Sequence, residues 1–573
     1  MHLLSPNRMQ RVIAWFCLLL PMLESPLLAA QPDAGQILRQ QQPQRLLPEK
    51  ASFPEPERTE TVRPSASGIK IFVKSYRFTG FGALVQEHEL QALVADATGR
   101  ELSDRELDGL PARVDAFLKT KGWFLAESFL PEQEVTSGII EIRLDPGGSD
   151  GFISFRKDKT VRLCTGVLSA IGNDAVQNGK AIDERKLERA MLLMNDLPGV
   201  VANADLKKGS VPGSTEVSVD VSEGPLMSGA VWEDNFGNYY TGWQRFSGML
   251  DFSDPSGCGD RLTFMGNTSD GLRQGLIFYS YPLGSNGLKG TLDCSSMNYE
   301  MHKELSALDV MGQAQMLGAG LSYPLVRSRQ SNVTATARID RMILSDKILS
   351  NEIHDRTVNI VTMGLKGEYY DAFLGGGYNN WSAKVAMGSV DERITNVMLS
   401  DVPDTFSHVN LGLNRLQKVT GSVDLNLAWT AQLSPGDLDS SRKFCLGGPY
   451  GIRAYPLGEA SGDAGQLINV DLRIKLPVPD DYGQVQLSGF YDAGRIITHI
   501  NSQNYQIQTV SGKNSYWLQG AGAELTYIYS KCLSLKGSWA HVIGSNPGRD
   551  LSDLNSENKR DSDRFWLVTT VFF

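Results

Sequence analysis

From about residue 228 onward the sequence alternates apolar with polar or small residues. Val423-Asp424-Leu425-Asn426-Leu427-Ala428-Trp429 shows the pattern, as do Ile468-Asn469-Val470-Asp471-Leu472-Arg473-Ile474-Lys475-Leu476 and Gln484-Val485-Gln486-Leu487-Ser488. Successive side chains of a strand point to opposite faces, so strict alternation places one face in grease and the other in water. A soluble sandwich turns its polar face outward, whereas an outer-membrane barrel turns it into the lumen. Two features favour the barrel. Short turns (Asp254–Asp260, Pro477–Gly483) alternate with long ones (Asp391–Lys418, Gly544–Asp563), and the chain ends in Phe565-Trp566-Leu567-Val568-Thr569-Thr570-Val571-Phe572-Phe573, a strand running to the last residue. At roughly ten residues per strand plus loops, residues 226–573 accommodate about 16 antiparallel strands.

Ahead of this region the periodicity is mixed. Lys70–Phe78 has strand-like content, and Glu87–Ala97 and Asp104–Lys119 carry apolar residues at helical spacing, with Ser103 and Asp104 as N-cap signals. Strands fit Trp123–Phe129 and Ile139–Leu144. Residues 152–224 repeat the pattern: Phe152–Phe155 opens, Asp183–Leu193 is helical, Leu197-Pro198-Gly199-Val200 turns and Glu216–Val221 alternates. The reading is two tandem α+β units, 69–147 and 148–225.

Residues 31–68 are rich in Gln, Pro, Glu and Arg and read as a linker with one short helix around Ala34–Gln41. Arg8 and Arg11, the apolar run Val12–Leu20 and Leu28-Ala29-Ala30 have the order of a secretory signal peptide over 1–30. Its removal takes Cys17 and leaves Cys164, Cys258, Cys294, Cys445 and Cys532, whose irregular spacing implies neither a zinc site nor a disulfide framework.

Composition then narrows the class. The net charge of −10 gives no basic footprint for nucleic acid. An apolar share of 41% with no run of about 18 apolar residues after residue 30 excludes a helical membrane protein. There is no phosphate-loop motif, hence no nucleotide-driven motor, and no H-E-x-x-H; no cofactor or metal is expected. Gly147-Gly148-Ser149-Asp150-Gly151 matches G-x-S-x-G, but it joins two strand-like segments where a nucleophile elbow must join a strand to a helix, so it reads as a hinge. The expectation is a non-enzymatic chain.

The informative stretch is Phe444-Cys445-Leu446-Gly447-Gly448-Pro449-Tyr450-Gly451-Ile452-Arg453-Ala454-Tyr455-Pro456, followed by Gly462-Asp463-Ala464-Gly465. Its glycines permit φ > 0 and sharp reversals. A 20-residue loop folded as a hairpin reaches roughly 25–30 Å at about 3.3 Å per residue, far enough to enter a lumen. An Arg at its tip needs a carboxylate there. Strand parity supplies one: Gln484, Gln486, Ser488, Phe490 and Asp492 share the polar, lumen-side face.

These residues carry a resemblance. Gly451-Ile452-Arg453-Ala454-Tyr455 resembles the (V/I)-R-G-(F/Y) motif in the sixth loop of POTRA-bearing outer-membrane barrels, and Phe490-Tyr491-Asp492 resembles their barrel-wall F-x-D motif. The branch most resembled is the two-partner secretion transporters, the haemolysin activation/secretion family. Gly122-Trp123-Phe124 with Leu130-Pro131-Glu132-Gln133 and Gly138 is similar to the end of that family's first POTRA domain. Leu197-Pro198-Gly199-Val200 with Pro212-Gly213-Ser214-Thr215 is similar to the second, and Glu233-Asp234-Asn235-Phe236-Gly237 with Thr241-Gly242 to the first barrel hairpin. One departure is Ala454 where many relatives carry Gly, which implies a different backbone at the loop tip.

The resemblance implies an outer-membrane pore with periplasmic POTRA domains that exports a large exoprotein through its N-terminal secretion domain, with no ATP. It implies that Arg453 and Asp492 lock the long loop inside the barrel, with Gly447, Gly448, Gly451, Ile452, Tyr455, Phe490, Gly462 and Asp463 around them. Pro131, Gln133, Pro198 and Gly199 are the POTRA motif positions, and residues 31–68 hold a plug helix. Outer-membrane lipid is the other partner; nucleic acid and nucleotide are not. A barrel-assembly factor of the same superfamily and a plain porin or receptor are the rival readings.

Overall fold

The computed structural model describes residues 32–41, 70–82, 84–211, 213–393, 403–505, 507 and 509–573. The expected signal peptide and most of the linker lie outside the described residues. Within the linker, α1 (Ala34–Gln40) is a seven-residue helix whose N-cap Asp33 accepts a hydrogen bond from the Gln36 amide.

Residues 70–145 fold as the first α+β unit. Ser75–Thr79 runs parallel to Ile139–Asp145, which pairs on its other side with Glu127–Phe129. The expected strand Lys70–Phe78 is two strands broken at Lys74, because Lys70–Val73 pairs instead with Arg100–Ser103. Trp123–Phe129 is strand only over Glu127–Phe129. Helices α2 (Glu87–Leu93) and α3 (Asp104–Thr120) pack on the sheet, and α3 starts at a capping box in which Glu106 Oε2 accepts from the Ser103 amide at 2.9 Å. Leu107, Leu110, Val114 and Leu118 form its buried stripe against Ile140 and Ile142.

The second unit repeats the plan. Ser214–Glu223 is flanked by parallel Ser154–Lys157 and antiparallel Val200–Lys208. Two helices, α4 (Thr165–Asn173) and α5 (Glu184–Asn195), cover it. Gly148–Ser149 is no hinge: it is a short strand parallel to Ser214–Thr215, and the Ser149 hydroxyl donates to the Gly151 carbonyl at 2.6 Å.

The remaining chain closes on itself as a 16-stranded antiparallel barrel. Its strands begin with β1 (Met227–Asp234), β2 (Arg245–Ser253), β3 (Arg261–Ser269) and β4 (Leu272–Pro282). The tall wall follows: β5 (Lys289–Glu300), β6 (Met311–Arg327), β7 (Ser331–Ile348), β8 (Asn351–Asp371) and β9 (Gly377–Glu392). Next come β10 (Thr405–Lys418), β11 (Val423–Leu433), β12 (Ala464–Leu476) and β13 (Gln484–Ile497). Closing the ring are β14 (Ser515–Tyr529), β15 (Leu533–Val542) and β16 (Asp563–Phe572). The seam between β1 and β16 is a ladder from Ala230↔Phe572 to Asp234↔Val568, extended by the Gly229 and Phe573 backbones.

Strand parity does what alternation requires. Leu317, Met363, Leu413 and Phe565 are exposed on the outer face, while Asp293, Asn426, Asp471 and Asp492 are buried on the inner one. Asp391–Lys418 is not one long loop. Residues 405–418 are β10, paired with both β9 and β11, because Val409, Leu411 and Leu413 alternate outward against polar inward neighbours. Loop 6, between β11 and β12, spans 434–463.

Two sets of contacts show the layout of the modules. The second α+β unit sits on the barrel's lower rim: Arg327 at the end of β6 holds Asp196, just past α5, bidentately at 2.7 and 2.8 Å. Helix α1 lies inside the barrel, with Ala34 and Ile37 in one apolar cluster with Leu272, Met297, Leu344 and Val358.

Candidate functional site: a loop held inside the barrel

Loop 6 folds inward from a two-residue ladder, Phe444–Cys445 against Ser461–Gly462. It is a compact knot and not the long hairpin expected from its length. The Ile452 amide donates to the Leu446 carbonyl at 2.7 Å and the Gly448 amide to the Tyr455 carbonyl at 3.1 Å. Of the loop's six glycines only Gly448 (118°) and Gly458 (87°) have positive φ. Gly451 and Gly462 serve proximity: a Cβ on Gly451 would sit 1.9 Å from the Leu446 carbonyl oxygen, and one on Gly462 2.3 Å from that of Ile497.

The knot presents Arg453 to the wall. Its Nε donates to Asp492 Oδ2 at 2.9 Å and its Nη2 to Asp492 Oδ1 at 2.7 Å, a bidentate pair. The Arg453 backbone amide donates to the same Oδ2 at 3.0 Å. Nη2 also reaches Asp471 Oδ1 on β12 at 2.8 Å, and Nη1 lies 3.7 Å from Glu524 Oε2 on β14. The guanidinium carbon sits 3.5 Å from the centre of the Phe490 ring, stacked on its face. Asp492 is wholly buried and Arg453 7% exposed. Asn469 ties the pair together, its amide donating to Asp492 Oδ1 at 2.7 Å and to the Gly451 carbonyl at 3.0 Å. Trp566 Nε1 on β16 donates to the Arg453 carbonyl at 2.7 Å. Three anionic side chains around one cation keep the guanidinium charge compensated away from bulk water.

Ala454 does not have positive φ. Its methyl fits because β14 has Gly520 opposite: a Cβ there would lie 2.5 Å from the Ala454 Cβ. The departure at 454 is thus accommodated in the wall and not in the loop backbone. Ile452 and Tyr455 are buried in the same cluster with Leu446, Leu467 and Phe490. Asp463, fully buried, accepts from the Leu438 and Ile500 amides at 3.0 Å each, tying the loop base to the next loop.

The residues expected at POTRA motif positions lie elsewhere. Gln133 bonds the Glu141 backbone at both its carbonyl (2.9 Å) and amide (2.6 Å), extending with a side chain the sheet edge begun by Glu127–Phe129. Pro131 lies in the adjoining loop and is half-buried. Pro198 and Gly199 (φ 74°) make the turn after α5, and a Cβ on Gly199 would meet Ser253 Cβ of β2 at 3.2 Å, so this turn abuts the barrel. Asp471, Glu524, Asn469 and Trp566 are not among the site residues singled out from the sequence, although the parity that found Asp492 also places Asp471 and Asn469 on the lumen face. All five described cysteines are free thiols.

With this geometry in hand, the comparisons have a physical referent. The profile of the haemolysin secretion/activation proteins ShlB/FhaC/HecB matches residues 213–526, more than half the chain. The chain belongs to this family. The ShlB-type POTRA profile matches residues 71–147, the first α+β unit. The heme/hemopexin transporter protein HuxB of Haemophilus influenzae (strain 86-028NP) is 26% identical over 558 residues, 95% of each chain. The outer membrane transporter CdiB of Escherichia coli is 22% identical over 83% of each chain. Among solved structures, CdiB from Escherichia coli superposes over the whole of both chains with a TM-score of 0.72 at 19% identity. CdiB from Acinetobacter baumannii does so over 99% of this chain and 98% of its own, with a TM-score of 0.63 at 16% identity. As a member of the family, the protein is an outer-membrane transporter of two-partner secretion, with POTRA domains in the periplasm and a large secreted protein as its partner.

Proposed function

We propose that this chain exports one TpsA-type exoprotein, recognised by its N-terminal secretion domain at the POTRA units, through a pore gated by loop 6 and stoppered by α1. An extended segment of the cargo adds to a free sheet edge of a POTRA unit by backbone hydrogen bonding. It then threads a lumen in which Asn, Ser, Thr and charged side chains line the wall beside the apolar patches that α1 and loop 6 cover. The work is translocation, not catalysis, and the cargo's folding outside makes it one-way. A cytolysin, adhesin, toxin or haem-binding protein fits this role, and the likeness to heme/hemopexin transporters over 95% of the chain favours the last.

The observation that carries the reading is the buried Arg453–Asp492 pair between loop and wall. Removing one member of a buried pair costs about 3–5 kcal/mol and strands the other. In Arg453→Ala and Asp492→Ala strains the barrel is expected in the outer membrane at normal level, with partner secretion reduced at least about tenfold. Normal secretion by both variants would remove the lock from the mechanism.

A further inference from the structure

A second buried charge cluster lies on the opposite wall, away from Arg453. Arg356 of β8 is 2% exposed and faces the lumen where α1 and the base of loop 6 meet. Its Nη2 donates to Asp33 Oδ2, the N-cap of α1, at 2.6 Å. The same nitrogen donates to Ser440 Oγ of loop 6 at 2.6 Å, and its Nε lies 3.2 Å from Asp439 Oδ2. The Ser440 hydroxyl in turn donates to Asp33, its oxygen 2.6 and 2.8 Å from the two carboxylate oxygens. One wall cation therefore carries both the helix and the loop, and the two are hydrogen-bonded to each other across it.

A second observation, independent of charge, points the same way. Gly35 in the first turn of α1 rests directly on the loop: a Cβ there would lie 2.7 Å from Ser440 Oγ and 2.8 Å from the Ser441 amide. No side chain separates the helix backbone from the loop backbone. Besides the apolar packing of Ala34 and Ile37, the first turn is held by Asp346 of β7, which accepts from the Ala34 amide at 2.9 Å.

We propose that Arg356 is a positioning residue that couples α1 to the base of loop 6, so that the stopper and the loop base are released together. A guanidinium suits this because its rigid fork can serve two acceptors at once, which a single ammonium does less well. If α1 withdraws, Ser440 loses its acceptor and Asp439 to Arg442 lose the surface they pack on. If the loop base loosens, Asp33 loses the hydroxyl that braces it. This coupling rests on the stopper role proposed for α1, and the test separates the two.

The full chain is reconstituted in planar bilayers for open-channel probability, and in nanodiscs for hydrogen exchange of residues 436–443. Arg356→Gln is expected to raise both open probability and exchange at least about fivefold, with Arg356→Lys recovering part of each. Asp33→Asn, which leaves the barrel wall intact, is expected to move both in the same direction, so a folding defect of the wall variant does not decide the matter. Deleting residues 32–41 is expected to raise exchange in 436–443 as well. Raised open probability with unchanged exchange in Arg356→Gln and Asp33→Asn makes Arg356 an anchor of the helix alone and overturns the coupling. No change in either readout overturns the positioning role. Unchanged conductance after deletion of 32–41 overturns the stopper, whereas the exchange of 436–443 still reports the contact.

Discussion

At Arg453 the fit is between a planar cation and three carboxylates at fixed places on β12, β13 and β14. Charge alone does not satisfy it. Arg453→Lys keeps the charge but loses the bidentate fork and the stacked face on Phe490, so secretion is expected to fall well below wild type while the barrel inserts normally, measured as exported partner per inserted transporter. A second prediction concerns the methyl of Ala454. Gly520→Ala puts two Cβ atoms 2.5 Å apart and is expected to cost about 1–3 kcal/mol, read as a lower melting temperature of the folded barrel. Adding Ala454→Gly should restore most of that loss. The sequence made Arg453 and Asp492 legible because parity and the need of a buried cation for an anion are local rules. Arg356 was not legible, since its partners Asp33 and Asp439 are 323 and 83 positions away and belong to no motif.

Among the elements, β10 is the instructive correction. His408, Asn410, Asn414, Arg415 and Gln417 make its segment read as a polar loop, yet a barrel strand needs only every other residue apolar. Leu413 is 55% exposed on the outer face, whereas Asn414 points inward and bonds Asn426 at 3.2 Å. Leu413→Arg is therefore expected to cost about 2–4 kcal/mol of barrel stability, and Asn414→Asp far less, measured by denaturant unfolding in bilayers. Both would be neutral in a solvent-exposed loop. The helices were legible where amphipathic spacing and caps coincide, as in α3; α4 was missed because Thr165–Asn173 is short and its N-cap, Cys164, makes no side-chain bond.

For the whole molecule, the order of modules was readable from the switch between helical and two-residue periods, and the strand count from length. What the periods do not contain is docking. The turn Leu197-Pro198-Gly199 and the Arg327–Asp196 pair seat the second α+β unit on the barrel rim, through residues with no pattern of their own. Asp196→Ala is expected to loosen that seat by about 1 kcal/mol, the pair being partly exposed, and to speed limited proteolysis of the 224–226 connection about fivefold while the barrel stays resistant.

The strands themselves are unequal: β1 to β3 have eight or nine residues, and β6 to β9 have sixteen to twenty-one. A tilted strand needs about 9–11 residues to cross the hydrocarbon layer, so the wall beside the seam is at the minimum and the opposite side stands well clear of it. Lipid around this protein meets a collar of uneven height. Its acyl chains must shorten on one flank or the barrel must lean, each at a fraction of a kcal/mol per Å. The membrane is thereby given a front and a back to a molecule that is round in cross-section, with the thinner, more easily disturbed lipid set against the barrel's shortest strands.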